Sequence, residues 1–449
     1  MPINENIFIA QAGLCTHALQ QALNDCAAQG LRLVLGPGVH LCGALRLPTG
    51  TDLHLTDEAV LQFVPDYDAY RDNRIDVIAE ASDTAMILAE GASNIRIGGK
   101  GRILGPGADF IVGRLEDMGT HVPAALRPRV LVLKDCENVR LEDFRIQSSP
   151  MWTIHLIACR NVEAQRLSID NDREMPNTDG IVVDSCDNVL IRHCTIATAD
   201  DGVVLKTSDG PDGSAVGSCR NVIVEHCEIE SRSCALKIGT ESHGDVENIR
   251  FSDCRLPRSN RGIGLFSRDG GLIRNVEVLR INVETHETPD GFWGSGEAIT
   301  MNVVDRRPGK PAGRIENVVF EDITGRMEGA INLVADSPSG IAHVRLNRIA
   351  IAQVDGPHRG HTYDVRPTHF DLAPSPDAAG RANAWVKDEN GKVIGLVAYP
   401  GGMPALFASN VEDLSVADVA FSRPSPLPAG WNAEATVILD GQPVVWSAK

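Results

Sequence analysis

A short unit, Asn-(Val/Ile)-x-(apolar), recurs along most of the chain and limits what it can fold into. Copies begin at Asn94, Asn138, Asn188, Asn221, Asn248, Asn275 and Asn317, with a weaker copy at Asn161. The closest steps are 23 residues (Asn138 to Asn161) and 27 residues (Asn161 to Asn188, Asn221 to Asn248, Asn248 to Asn275). Longer steps, such as the 42 residues from Asn275 to Asn317, hold insertions. A repeat of roughly 20 to 30 residues made of strands and turns suits a parallel β-helix, in which each coil buries its apolar side against the next. A leucine-rich repeat would need a leucine spacing and helical segments that are missing here. The repeated Asn suits a left-handed turn position, where it can hydrogen-bond to its copies in neighbouring coils. That role is structural. Aromatic residues make up only 4% of the chain, so the layered core is aliphatic.

The expected fold class is therefore all-β, a solenoid over 46–354. Residues 1–45 would form an N-terminal cap, and 355–449 a C-terminal loop, hairpin and last coil of the same domain. Thr16 to Ala28 has helical spacing, with Leu19, Leu23 and Cys26 on one face, Thr16 as N-cap and Gly30 as the stop. A strand over Leu31 to Leu35 follows. A helix here would cover the open end of the solenoid. The repeat fades after Val354. Asp355 to Ala384 reads as a long loop, Trp385 to Leu396 as a β-hairpin around Asn390-Gly391, and Asn410-Val411 as one last coil.

A formal net charge of −18 makes nucleic acid and anionic membrane surfaces poor partners. An anionic substrate would need a local basic pocket. The 11 cysteines include Cys186, Cys194, Cys227 and Cys254 in or beside strand patterns, where they read as small buried hydrophobes rather than disulfides. No CxxC pair supports a zinc site. The start of the chain lacks a basic segment followed by an apolar one, and no run of about 18 apolar residues occurs, so a cytoplasmic location is expected.

The stretch from Asn177 to Ser208 carries the chemistry. Asp179-Gly180 followed by three apolar residues recurs 22 positions later as Asp201-Gly202 followed by three apolar residues. Coils stack at about 4.8 Å, so Asp179 and Asp201 should lie nearly one above the other. Asp200, one position earlier, should point differently. Like charges at that distance raise one pKa, which suits a group that holds a proton or acts as a base. A single Asp-Gly is usually a turn aspartate bonded to backbone N–H groups. Three carboxylates in register instead suit glycosidic bond hydrolysis, which needs an acid and a base or nucleophile.

Asn177-Thr178-Asp179-Gly180, then Asp200-Asp201 and Lys206, closely resemble the signature of glycoside hydrolase family 28, the polygalacturonase family. Ser149-Pro150-Met151-Trp152-Thr153-Ile154-His155 resembles the segment that its exo-acting members place beside the sugar. Ala235-Leu236-Lys237-Ile238-Gly239-Thr240-Glu241 resembles the bacterial form of the next motif. The likeness runs in order and spacing from about Gly36 to Gly329. It implies a right-handed parallel β-helix and hydrolysis with inversion. It also implies Asp200 as general acid, with Asp179 and Asp201 holding the attacking water.

Two departures bear on the substrate. Polygalacturonases carry a Gly-His-Gly motif before the Ile-Gly element, where this chain has Ser231-Arg232-Ser233-Cys234-Ala235. They grip a galacturonate carboxylate with an Arg-Ile-Lys motif, where this chain has Gly264 and Phe266 in place of the two cations. Arg268 is a nearby cation that could reach the same place. The expected substrate contacts are Asn177, Lys206, Lys237 and Arg268, with Trp152 and His155 as a sugar platform and Trp293 and Glu297 as a subsite wall in an insertion. The expectation is an inverting, exo-acting glycoside hydrolase. Its substrates would be α-linked galacturonic-acid- or rhamnose-containing pectic oligosaccharides, and no metal or organic cofactor is implied. The rivals are a polysaccharide lyase on the same fold and a non-catalytic carbohydrate-binding solenoid.

Overall fold

A computed structural model describes residues 4–79, 82–288, 292–306, 309–337, 339–357, 361–368, 389, 393, 395–439 and 445–447. The chain forms a parallel β-helix. Among the described residues, short strands pair in parallel with their counterparts one coil on, giving one sheet of 22 strands and another of 13, in which Arg74–Ala79 pairs antiparallel with Ser82–Glu90. The second sheet positions the site. In it Arg129–Lys134, Ile154–Ile157, Ile181–Asp184, Val203–Thr207, Cys234–Ser242 and Arg261–Ser267 follow one another.

The register explains the aliphatic composition. Ile154, Ile181, Val203, Leu236, Ile263, Ile299, Ile331 and Leu406 are successive partners down one column, and all are buried. Each such side chain contributes about 1.5–3 kcal/mol relative to exposure. Strand alternation puts their sequence neighbours on the opposite, outward face. There lie His155, Val182, Val204, Lys237, Gly264, Thr300 and Asn332, again in register.

The asparagines occupy the turn as expected. Asn94, Asn138, Asn161, Asn188, Asn221, Asn248, Asn275 and Asn317 all have φ between 55° and 60°. The amide of each of Asn138, Asn161, Asn188, Asn248, Asn275 and Asn317 donates to the carbonyl oxygen of the Asn one coil earlier, at 2.7–3.5 Å. The ladder breaks once, where Asn221 donates to Asp187 instead. In the coils after Asn317 the ladder position passes to His343 and Asp413, which bond to each other at 2.7 Å. Asn410, read from sequence as the start of the last coil, therefore lies outside the ladder. Its amide bonds to the Ala335 carbonyl. The coil strand Val411–Ser422 is present, and Val445–Ser447 adds a further rung on it.

The N-terminal helix spans Thr16–Gln29, buries Leu19, Leu23 and Cys26, and stops at Gly30 in the left-handed conformation. Thr16 is not its cap. Cys15 stands there, and the Thr16 hydroxyl accepts from the Gly43 N–H, tying the helix to the first coils. The solenoid also begins earlier than expected, because Glu5–Phe8 already pairs with Arg32–Leu35. At the other end, Thr362–Asp364 pairs antiparallel with Leu396–Ala398. The hairpin expected over Trp385 to Leu396 lies almost wholly outside the described residues.

Candidate active site

Gly180 N–H donates to the Asp201 carbonyl, and Ile181 pairs with Val203. Asp179 and Asp201 are therefore stacked in adjacent coils. The glycine beside each is required by close approach rather than by a turn. A Cβ on Gly180 would lie 2.4 Å from the Gly202 carbonyl oxygen, and one on Gly202 would lie 2.2 Å from the Ile229 side chain. Asp200 precedes the strand Val203–Thr207, so strand alternation does not govern it. The Thr198 and Ser231 hydroxyls both donate to its carbonyl, at 2.6 and 2.7 Å. Held in this turn, it converges with the other two instead of pointing away. One carboxylate oxygen from each of Asp179, Asp200 and Asp201 lies within 4.8 Å of the others, and the residues are only 2%, 4% and 2% exposed.

Their surroundings differ. Asp201 accepts from Ser233 Oγ at 2.9 Å on Oδ1 and from Lys237 Nζ at 2.6 Å on Oδ2. Asp200 accepts the Asp201 N–H on Oδ1 at 3.0 Å, which leaves Oδ2 for another partner. Burial pushes the Asp179 carboxyl well above the usual range, and the charges of Asp200 and Asp201 push it the same way. Lys206 and Lys237 oppose this. Three clustered carboxylates are also the donor set of a metal site. Here the Lys237 ammonium already supplies the positive charge at Asp201, and a divalent ion in contact with the same carboxylate would be repelled by it.

The other expected residues divide into those at the cluster and those that brace it. Lys206 pairs with Glu241 at 2.8 Å and sits 4.4 Å from the centre of the Trp152 ring. Lys237, an expected substrate contact, is buried and touches the Asp201 carboxylate. Trp152 is wedged between Lys206, Arg129 and the edge of His155, so it is not an open platform. His155 is wholly buried. Arg129 can only donate, so the 2.8 Å contact makes His155 Nδ1 the acceptor. Its Nε2–H then faces Asp184 Oδ2 at 3.4 Å. Both ring nitrogens are thus engaged inside the protein, and the expected sugar contact by His155 is not met. Asn177 accepts from Arg127 at 2.8 Å, while Arg127 also donates to the carbonyls of Pro150 and Pro176. This cross-brace fixes the loop that enters Asp179.

Arg268 does not reach a substrate either. Its five N–H groups go to the carbonyls of Pro367, Ser267, Asn302 and Val365 and to the Asn302 side chain. Trp293 stacks with Arg366, and Glu297 accepts the Ser295 N–H at 2.6 Å and lies 3.7 Å from Arg261. Both are buried, and they belong to the wall as packing rather than as exposed contacts. The sequence reading missed Ser233, Arg127, Arg129, Asp184 and Arg366. Asp184 closes the same strand that follows Asp179, which was the available signal. Arg129 opens a strand of the second sheet and Ser233 directly precedes one, so the repeat marks their place but not their partners. Arg127 lies in the loop before Arg129.

A family model described as Glycosyl hydrolases family 28 matches residues 72–359. A probable polygalacturonase of Vitis vinifera is 26% identical over 63% of this chain and 60% of its own length. An endo-polygalacturonase of Pectobacterium carotovorum subsp. carotovorum is 23% identical over 78% of this chain and 87% of its own length. In fold, the chain is similar to the family 28 exopolygalacturonase of Yersinia enterocolitica, with a TM-score of 0.68 and 17% identity over 98% of this chain and 79% of that one.

Proposed function

The chain belongs to the glycosyl hydrolases of family 28, and on that premise we propose that it is an inverting, exo-acting hydrolase of short α-linked pectic oligosaccharides. The carrying observation is the convergence of Asp179, Asp200 and Asp201 within 4.8 Å, each in a different hydrogen-bonding environment. Asp200 acts as the acid and gives its proton to the leaving glycosidic oxygen as the anomeric C–O bond breaks. Water held between Asp179 and Asp201 attacks the anomeric carbon from the other side. Asp179, whose proton affinity is raised by its surroundings, takes the proton that the water loses. Exchange with solvent returns the net proton from Asp179 to Asp200.

Separation alone would favour retention, since paired carboxyls about 5–5.5 Å apart typify a covalent intermediate. The third carboxylate supports inversion, because a close pair that holds water leaves a separate group to serve as acid. Exo action is supported by the segment Asp364–Pro367. It lies against Arg261 and Arg268 at the C-terminal side of the cluster, where it would block a long polymer. Gly264 and Phe266, in place of two cations, favour a rhamnose-containing substrate over an unbranched polygalacturonate. Eleven unpaired, buried cysteines support a reducing, cytoplasmic setting.

The test is a panel of defined pectic oligosaccharides with proton NMR of the first-formed anomer. Release of the β-anomer from an α-linked substrate is expected, and first release of the α-anomer would overturn inversion. Asp200→Asn should cut turnover by about 10²–10⁴ with binding retained. Full activity in that variant would remove Asp200 from the role.

A further inference from the structure

We propose that Lys237 is a positioning residue that holds Asp201 anionic and so confines the cluster's exchangeable proton to Asp179 and Asp200; the inference rests on the glycosidase reading above. Lys237 stands one coil beyond Asp201, on the outward face. Its ammonium lies 2.6 Å from Asp201 Oδ2, while Ser233 Oγ donates to Oδ1 at 2.9 Å. Both oxygens of Asp201 thus accept a donor, and one donor is a full charge. Neither arrangement suits a carboxyl that must carry a proton of its own.

The next coil builds the floor that keeps the ammonium in place. Lys237 pairs in register with Gly264. The missing side chain there lets the Phe266 ring fold back over the strand, since a Cβ on Gly264 would fall 2.4 Å from that ring. The ring centre lies 5.5 Å from Lys237 Nζ. The two positions that depart from the Arg-Ile-Lys pattern therefore share one task. They replace two cations with a cavity filled by an aromatic face, and that face backs the lysine.

Among the described residues, the charged and titratable groups around the Asp179–Asp200–Asp201 cluster include Lys206, Lys237, Cys234 and Arg261. Lys206 is matched by Glu241 at 2.8 Å and Arg261 by Asp364 at 2.6 Å. Lys237 is in direct contact with the Asp201 carboxylate. Removing it takes the ammonium away from Asp201, which then competes more strongly with Asp179 and Asp200 for protons. The water would lose its fixed anionic anchor.

The test has an arm that needs no turnover. Protein labelled with carboxyl-13C aspartate is titrated by NMR, with the Asp201 signal assigned from its loss in Asp201→Asn. In the wild type, Asp201 should titrate below Asp179. In Lys237→Met it should move up by at least one pH unit, a tenfold rise in proton affinity, and in Lys237→Arg it should stay in place. Should Lys237→Met fail to fold, Lys237→Gln and the wild-type order of the two signals carry the same test. In the kinetic arm, the acidic limb of kcat/KM moves up in Lys237→Met with KM near the wild-type value, and Lys237→Arg restores it. A Met variant that lowers Tm but leaves the Asp201 titration and the acidic limb unmoved would overturn the proposal, as would a wild-type Asp201 titrating above Asp179. A wild type with the expected titration that hydrolyses no pectic oligosaccharide would overturn the glycosidase reading and leave the charge assignment standing.

Discussion

His155 shows how far burial can redirect a residue that the sequence offers as a ligand contact. Its pKa is pushed down from 6.5 to about 4, first by burial, with Arg129 and Lys206 adding to the effect against Asp184. The folded state thus excludes a proton that the unfolded chain takes up. Stability contributed this way is complete above about pH 6.5 and is lost as pH falls toward about 4. A shift of that size corresponds to at most about 3 kcal/mol. Urea unfolding midpoints at pH 7, 5.5 and 4 should fall in that order, and His155→Gln should flatten the lower half of the trend. A wild-type midpoint constant over this range would show that the imidazole is not held neutral. Arg268 makes the same point without titration. An arginine whose five donors are spent on the protein's own oxygens cannot also grip a sugar acid, however well its sequence position suits the task.

The ladder and the C-terminal segment are elements of opposite kinds. Each ladder asparagine combines a left-handed backbone with an amide bond to the next coil, so replacing it should cost both. Asn248→Ala should lose about 2 kcal/mol, from the left-handed strain of a Cβ residue and one hydrogen bond. Asn248→Gly should recover roughly half, because glycine removes only the strain. Equal losses for the two variants in chemical denaturation would show that the conformation carries no cost there. The segment around Asp364 is instead held by charge. Burial would raise this carboxyl, but Arg366 and Arg261 draw it down to about 2. Its contribution to stability is therefore present above about pH 4 and is lost as pH falls toward 2. Asp364→Asn removes the buried anion that Arg366 and Arg261 share, and breaking such a pair typically costs about 3–5 kcal/mol. The expected result is a lower Tm and a product pattern shifted from single sugars toward longer fragments. An unchanged pattern would remove this segment as the block at the end of the cleft.

At the scale of the whole molecule, all 11 cysteines are buried and free, many stacked coil upon coil. A thiol reagent should therefore find almost none in the native protein and 11 after denaturation, and a reductant should leave Tm unchanged. Much of this architecture is legible in the chain itself. The solenoid, the asparagine ladder, the helix face of Leu19, Leu23 and Cys26, and the stacking of Asp179 over Asp201 all follow from a repeat read against the fixed spacing of paired strands. A repeat reports which residues are equivalent, and equivalent residues must stack. It does not report what happens between positions that are not equivalent. Lys237 meets Asp201 across 36 residues, and Arg261 meets Asp364 across 103. Asp200 joins the cluster because two hydroxyls hold its turn, and Arg268 turns inward to a segment with no period at all. Those contacts depend on side-chain rotamers and on the paths of insertions, which only the folded chain brings into contact.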